Sequence, residues 1–265
     1  MKKIILAMLL IAATLSVKAW HINCDKAVLL VASQNYNPTT SQLVQRYIGE
    51  DMSKPAYYLA SLRKDGRLLE TEAWQKLHLD SNLKPSASGE KDAYVQIEKA
   101  LEVIRNHKQH GEKAVHFAIC TVMNLVIDMH NISNVAIEGI PQSGTDFQFT
   151  FSKGTANGRP AKYFPFSWKE LWDTRYVYQH SGFTPTMWAT EITIMFKDKK
   201  QQYSAGTLAD WCNDIGQDTK KVHEILDANE GKFLHATIQA HEELHMSCIG
   251  RAAYRIAALL NANLK

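Results

Sequence analysis

Asp128 lies in a markedly apolar stretch of the chain, Ala114 to Met129. A carboxylate there is costly unless it is paired, hydrogen-bonded or bound to a cation. Asn124 precedes it by four residues, and Cys120 and His116 continue the same spacing, so all four share a face if the stretch is helical. The segment Asp128-Met129-His130-Asn131-Ile132-Ser133-Asn134 then carries polar groups out of the apolar run. Further on, Lys169 and Asp173 stand one helical turn apart in Trp168-Lys169-Glu170-Leu171-Trp172-Asp173, a spacing that suits a simple ion pair. Carboxylates and amides in this pattern can serve a metal; equally, Asp128 can be a structural residue satisfied by a neighbour.

A second pattern is His241-Glu242-Glu243-Leu244-His245, which matches the H-E-x-x-H signature of metallopeptidases. On a helix the two imidazoles would face one way, with Glu242 as the candidate base. Residues 246–265 contain no His, Asp or Glu, so the downstream third ligand of the familiar zinc peptidases is missing. A solvated helix face is the expectation for this segment.

The elements that must position these residues read as mainly helical. Asn37-Pro38-Thr39-Thr40-Ser41 leads into a helix with Leu43, Val44 and Tyr47 at helical spacing. Ala56 to Leu62 is a short helical pattern, Ser81 to Lys91 a polar loop, and Tyr94, Ile97, Leu101 and Ile104 mark an amphipathic helix. Ala114 to Met129 predicts a buried helix. Ser143 to Phe166 breaks the rhythm: Phe147, Phe149 and Phe151 alternate, and Lys153-Gly154 and Asn157-Gly158 mark turns, predicting a small hairpin or irregular insertion. Helical patterns resume from Ser167, around Leu208 to Asn229, and from Leu234 to the end. One all-α domain over residues 20–265 with a minor β element is expected.

Residues 1–19 read as a signal peptide. Met1-Lys2-Lys3 is basic, Ile4 to Leu15 is apolar for about a dozen residues, and Val17 and Ala19 suit cleavage before Trp20. The alternative, a membrane anchor, falls short of the roughly 18–20 apolar residues of a span. Export to the periplasm or the medium is the expectation, with no membrane span and a monomer. The chain has 30 basic and 27 acidic residues, a net +3. Losing Lys2, Lys3 and Lys18 with the leader makes the two counts equal, which excludes gripping a polyanion by bulk charge. Export permits disulfides among Cys24, Cys120, Cys212 and Cys248; the pair on neighbouring C-terminal helices, Cys212 and Cys248, is favoured over four free buried thiols.

Taken in order, several segments resemble the S1/P1 nuclease family, zinc-dependent phosphodiesterases built on the helical phospholipase C fold. The family's N-terminal Trp, exposed by signal cleavage, matches Trp20. Its helix His-x-x-x-Asp-x-His-Gln-Pro-x-His matches Asn124 to Asn134, and its Asn-Leu-His-x-x-Trp-Asp matches Ser167 to Asp173. Its C-terminal Ala-Gly-x-Arg-Leu-Ala-x-x-Leu-Asn resembles Ile249-Gly250-Arg251 through Leu260-Asn261. Family members hold three zinc ions through imidazoles, carboxylates and the amine and carbonyl of the N-terminal Trp. Such ions activate water and neutralise charge on a phosphoryl group.

Carried over by this resemblance, the metal ligands would be Trp20, Asp25, His78, Asp128 and Asp173, with Asp128 the residue on which catalysis would depend. Asp25 stands where the family has His. Asn124 and Asn134 replace two more His ligands, Lys169 another, and Ala60 aligns with a lost Asp. The family's Gly-Gly-Asn loop has become Gly144-Thr145-Asp146. An amide is a poor zinc ligand, and an ammonium brings positive charge with no lone pair. The position shared by Trp20, Asp25 and Asp128 would be oxygen-rich and suited to magnesium, manganese or calcium, while His78 and Asp128, with Asn124, would form the middle position. Zero or one divalent metal is therefore expected rather than three zinc ions. Two functions follow: a binding or accessory protein with a degenerate centre, or a phosphodiesterase using one or two residual metals on single-stranded nucleic acid or a small phosphate ester.

Overall fold

The computed structural model describes residues 20–86, 91–140, 148–153, 162–167, 169, 172–173, 182–228, 232–233 and 235–265. Residues 1–19, read above as a leader, lie outside these, as do Phe147 and the Gly144-Thr145-Asp146 segment. Helix α1 (Ile22–Ser33) starts where the His21 ring accepts from the Asn23 N–H. Helix α2 (Pro38–Ile48) starts on Asn37, whose side chain accepts from Thr40 N–H, with Pro38 pre-set for the first turn. A 3-10 turn (Lys54–Tyr57) feeds α3 (Tyr58–Lys64), and a second 3-10 segment (Leu69–Gln75) leads to strand β1 (Leu77–Leu79). Asp92 caps α4 (Ala93–Arg105), accepting from Val95 N–H.

The apolar run becomes α5 (Glu112–His130), buried from Ala118 through its C-terminal end. It packs against α4 on one side and the last helix on another, which explains why it is apolar almost all round. A single turn (Ile132–Asn134), capped by Asn131, follows it and runs into β2 (Val135–Ile137), which pairs in parallel with β1. The polar exit from α5 is thus held between a buried helix and a strand pair.

The hairpin predicted near residue 150 is present as β3 (Gln148–Lys153) antiparallel to β4 (Lys162–Ser167). A short β5 (Lys232–Phe233) adds to it in parallel. Between β4 and β5 come α6 (Pro185–Phe196), α7 (Lys200–Ser204) and α8 (Leu208–Ala228), and after β5 comes α9 (His235–Asn263). Helices carry the core, and the strands are short additions at two places, so the domain is all-α in class. None of the helices among the described residues is long and apolar enough to cross a membrane.

Two interior features fix the frame around the α5 exit. Gly250 lets α9 approach α6 closely, since a Cβ there would stand 2.5 Å from the Phe196 ring. Arg255, buried on α9, donates to the Tyr203 carbonyl, to the Asp214 carboxylate and to His130 Nε2 at 3.0 Å. His130 Nδ1 lies 2.7 Å from the Val126 carbonyl, so Nδ1 carries the proton and Nε2 accepts. Burial, and then the Arg255 charge, hold His130 well below the usual imidazole range, and it stays neutral. The end of α5 is therefore clamped within the Asp128–Asn134 polar segment. The four cysteines are free and buried, so the favoured Cys212–Cys248 bridge is not formed and the thiol alternative holds.

Candidate functional site

Asp128 and Asp173 form the centre of one polar cluster. Asp128 occupies the last turn of α5 with 6% exposure. Burial pushes its carboxyl up to about 7, against the charges of Arg63 and Lys169 and a hydrogen bond from Gln75. Gln75 Nε2 donates to Asp128 Oδ2 at 3.4 Å. Asp173 receives more support. Lys169 Nζ is 2.9 Å from its Oδ2, Asn131 Nδ2 donates to Oδ1 at 2.7 Å, and Ser133 Oγ donates to Oδ1 at 3.3 Å. Burial raises Asp173 to about 6, with Lys169 the strongest opposing influence. Asp173 is therefore ionised at neutral pH and paired.

Asn134 joins the two halves. Its Nδ2 donates to the Asp128 backbone carbonyl at 3.0 Å, and its Oδ1 accepts from Lys169 Nζ at 3.4 Å. The i,i+4 spacing of Lys169 and Asp173 thus forms the ion pair that it predicts, in a nearly buried setting where the side chains are 19% and 13% exposed. Lys76 is a further cation nearby: burial lowers it, repulsion from Lys169 adds to that, and attraction to Asp173 opposes.

Other residues singled out in the sequence lie elsewhere or do other work. Asn124 is a brace. Its Nδ2 donates to the Pro55 carbonyl at 2.5 Å and the Cys120 carbonyl at 3.0 Å, and its Oδ1 accepts from Leu59 N–H at 3.4 Å. It ties α5 to the 54–57 turn and α3 rather than presenting a lone pair to the cluster. Ala60 lies half-buried on α3. His78 stands on β1 beside Asp92, with Nδ1 3.6 Å from Asp92 Oδ2 and its backbone N–H donating to the same oxygen at 3.0 Å. Asp25 is buried in the first turn of α1.

Trp20 is fully buried, with its ring edge-on to His245 at 5.8 Å between centroids. His245 also lies 5.3 Å from the Trp172 ring, and its Nε2 is 3.2 Å from the Trp172 carbonyl. A Trp20–His245–Trp172 stack therefore links the start of the domain to the helical residues that carry Lys169 and Asp173. The expectation of a solvated face at His241-Glu242-Glu243-Leu244-His245 is overturned: His241 is 0% and His245 1% exposed, whereas Glu243 is exposed. The imidazoles turn inward because α9 packs that face against α1 and the Trp172 segment, a choice the local spacing does not express.

Three participants were not singled out in the sequence: Arg63, Gln75 and Lys76. No local pattern separates Arg63 from Lys64 or Arg67 beside it; its guanidinium is held on Thr71, and its charge favours the ionised form of Asp128. Among the described residues, no group of three or more His, Cys, Asp or Glu side chains is placed to hold a metal ion together. A zinc ion at Asp173 would have to displace the ammonium already there, so the residues present do not fit that metal position. No family model matches the chain, and no curated protein matches it.

Proposed function

We propose that this chain is an exported relative of the S1/P1 nucleases whose metal centre has become a hydrogen-bonded ion cluster, and that it acts in binding or as an accessory protein rather than as a phosphodiesterase. The observation that carries this reading is Lys169 Nζ, 2.9 Å from Asp173 and 3.4 Å from Asn134 Oδ1, at two positions where a zinc nuclease would present imidazoles. A Lewis-acid mechanism needs a cation with open coordination sites facing the phosphoryl oxygen. An ammonium that is hydrogen-bonded to a carboxylate and an amide offers charge but no coordination site. The candidate ligand is a single-stranded nucleic acid or a phosphate ester, met by a local site because the mature chain carries no bulk positive charge.

The test uses protein beginning at Trp20, because an added N-terminal residue would block the amine that the family uses. Single-stranded DNA and a phosphodiester ester are offered with zinc, manganese or magnesium. No turnover above the metal-ion background is expected. Metal-dependent cleavage abolished by Asp128→Ala would overturn this reading in favour of a phosphodiesterase that uses residual metal.

A further inference from the structure

Two helical turns before Asp128 on α5, the side chains of His116 and Cys120 meet. Cys120 Sγ is 3.6 Å from His116 Nε2. The other ring nitrogen, Nδ1, is 2.8 Å from the Tyr47 backbone carbonyl. A carbonyl only accepts, so Nδ1 carries the proton and Nε2 turns its lone pair to the sulfur. An imidazole fixed through one nitrogen on a carbonyl, with the other nitrogen left to donate its lone pair, is the usual arrangement of a metal-binding histidine.

The surroundings suit an ion of a single charge. Cys120 is 1% exposed, and burial pushes its thiol up to about 12, so the sulfur keeps its proton at neutral pH. A monovalent ion that replaces this proton leaves the charge of the pair unchanged. A divalent ion would leave one uncompensated positive charge in an apolar interior. The shell is aromatic: Tyr58 stands edge-on to His116 at 4.9 Å between centroids, and Phe117 edge-on to Tyr58 at 6.2 Å. Among the described residues no third His, Cys, Asp or Glu side chain joins the pair, which serves four-coordinate zinc poorly. Thiolate and imidazole are donors that suit copper(I), and soft ions of that kind accept two ligands in line. On ordinary metal–sulfur and metal–nitrogen bond lengths, the 3.6 Å gap opens by less than about 1 Å to admit one. His116 is half-buried, so the pair reaches solvent through the imidazole. Cys248 is the contrast: its sulfur lies 3.5 Å from the Arg251 guanidinium, which repels a cation.

We propose that Cys120 Sγ and His116 Nε2 form a two-coordinate site for a soft monovalent cation, copper(I) or silver(I). On binding, the S–H bond breaks and its proton leaves to solvent. The ion then bonds to the thiolate and to the Nε2 lone pair, and no electron changes hands. The site is separate from the Asp128–Asp173 cluster and does not depend on the functional reading above.

Reduced, metal-free protein beginning at Trp20, titrated anaerobically with copper(I) against a chromogenic copper(I) chelator, tests the proposal. Wild-type protein is expected to withhold one ion per chain from the chelator. Cys120→Ser and His116→Gln are expected to surrender it, and Cys212→Ser to behave as wild type. X-ray absorption of the wild-type complex is expected to show one sulfur and one nitrogen around copper. No retention by wild type would overturn the proposal. So would retention by Cys120→Ser or His116→Gln equal to that of wild type, a loss in Cys212→Ser as complete as in Cys120→Ser, or a copper shell of sulfur alone. Should either site variant fail to fold, as judged by circular dichroism, the wild-type absorption spectrum decides. Zinc in large excess is expected to leave the copper in place, and displacement by zinc would overturn the assignment to a monovalent ion.

Discussion

At the scale of single residues, Asp128 carries the sharpest consequence. Burial raises its carboxyl to about 7, whereas an unfolded chain ionises an Asp near about 4. Between those values the folded protein holds a proton that the unfolded protein has lost. The contribution of this carboxyl to stability is therefore largest toward pH 4, falls as pH rises toward 7, and levels above that. Asp173, raised to about 6, adds a slope of the same sign over a narrower window. Asp128→Asn should flatten the profile and be more stable than wild type at pH 8, the two converging toward pH 4.5. Urea unfolding across that range is the measurement. A bound divalent ion would depress the carboxyl and reverse the sign of the difference, so wild type gaining stability relative to Asp128→Asn from pH 4.5 to 7 would contradict a carboxyl raised by burial.

At the scale of elements, Asn124 shows how an amide can belong to a site's motif and still serve the scaffold. It spans from α5 to the 54–57 turn and to the first turn of α3 through three backbone partners. Asn124→Ala would leave the Pro55 carbonyl and the Leu59 N–H without that partner in a buried setting. The expected loss is about 2–3 kcal/mol of stability, read from denaturant midpoints. Because α3 also carries Arg63, the same variant should loosen the Asp128 counter-charge and steepen the fall of stability with pH. A midpoint within error of wild type would show that the brace is replaceable. The 69–75 segment is the matching element on the other side: its first turn is set by Leu68 in a left-handed conformation, φ 48°, and its last residue is Gln75. Its geometry therefore decides where both the Thr71 anchor for Arg63 and the Gln75 amide stand.

At the scale of the whole molecule, the cluster is held by α9, which touches the residues flanking it and is itself seated on α6. α9 reaches α6 at Gly250, clamps the end of α5 through Arg255, and places His245 between Trp20 and Trp172. Gly250→Ala would drive a methyl into the Phe196 ring, and about 1–3 kcal/mol of overpacking is expected. For a chain of this size that corresponds to a drop of roughly 2–10 °C in the melting midpoint, checked by calorimetry. A Phe196→Leu change in the same chain should restore part of it, since it removes the ring that the new methyl meets. Failure of that rescue would place the strain elsewhere.

Sequence alone determined the elements whose signals are local. The Asn37-Pro38 start, the apolar steps from Tyr94 to Ile104, the long apolar run from Ala114 to Met129 and the break near residue 150 each follow from side-chain periodicity or turn chemistry within a few residues. The Asp128–Asn134 exit and the Lys169–Asp173 pair were legible for the same reason, since spacing along a helix fixes which groups share a face. Tertiary structure decided the rest. Gln75 meets Asp128 across 53 positions, Asn124 turns to Pro55 across 69, His78 settles on Asp92, and the His241 and His245 face turns inward. In each case long side chains or inward-facing rings choose partners by which helices dock together, and that choice depends on burial summed over the whole core rather than on any local pattern.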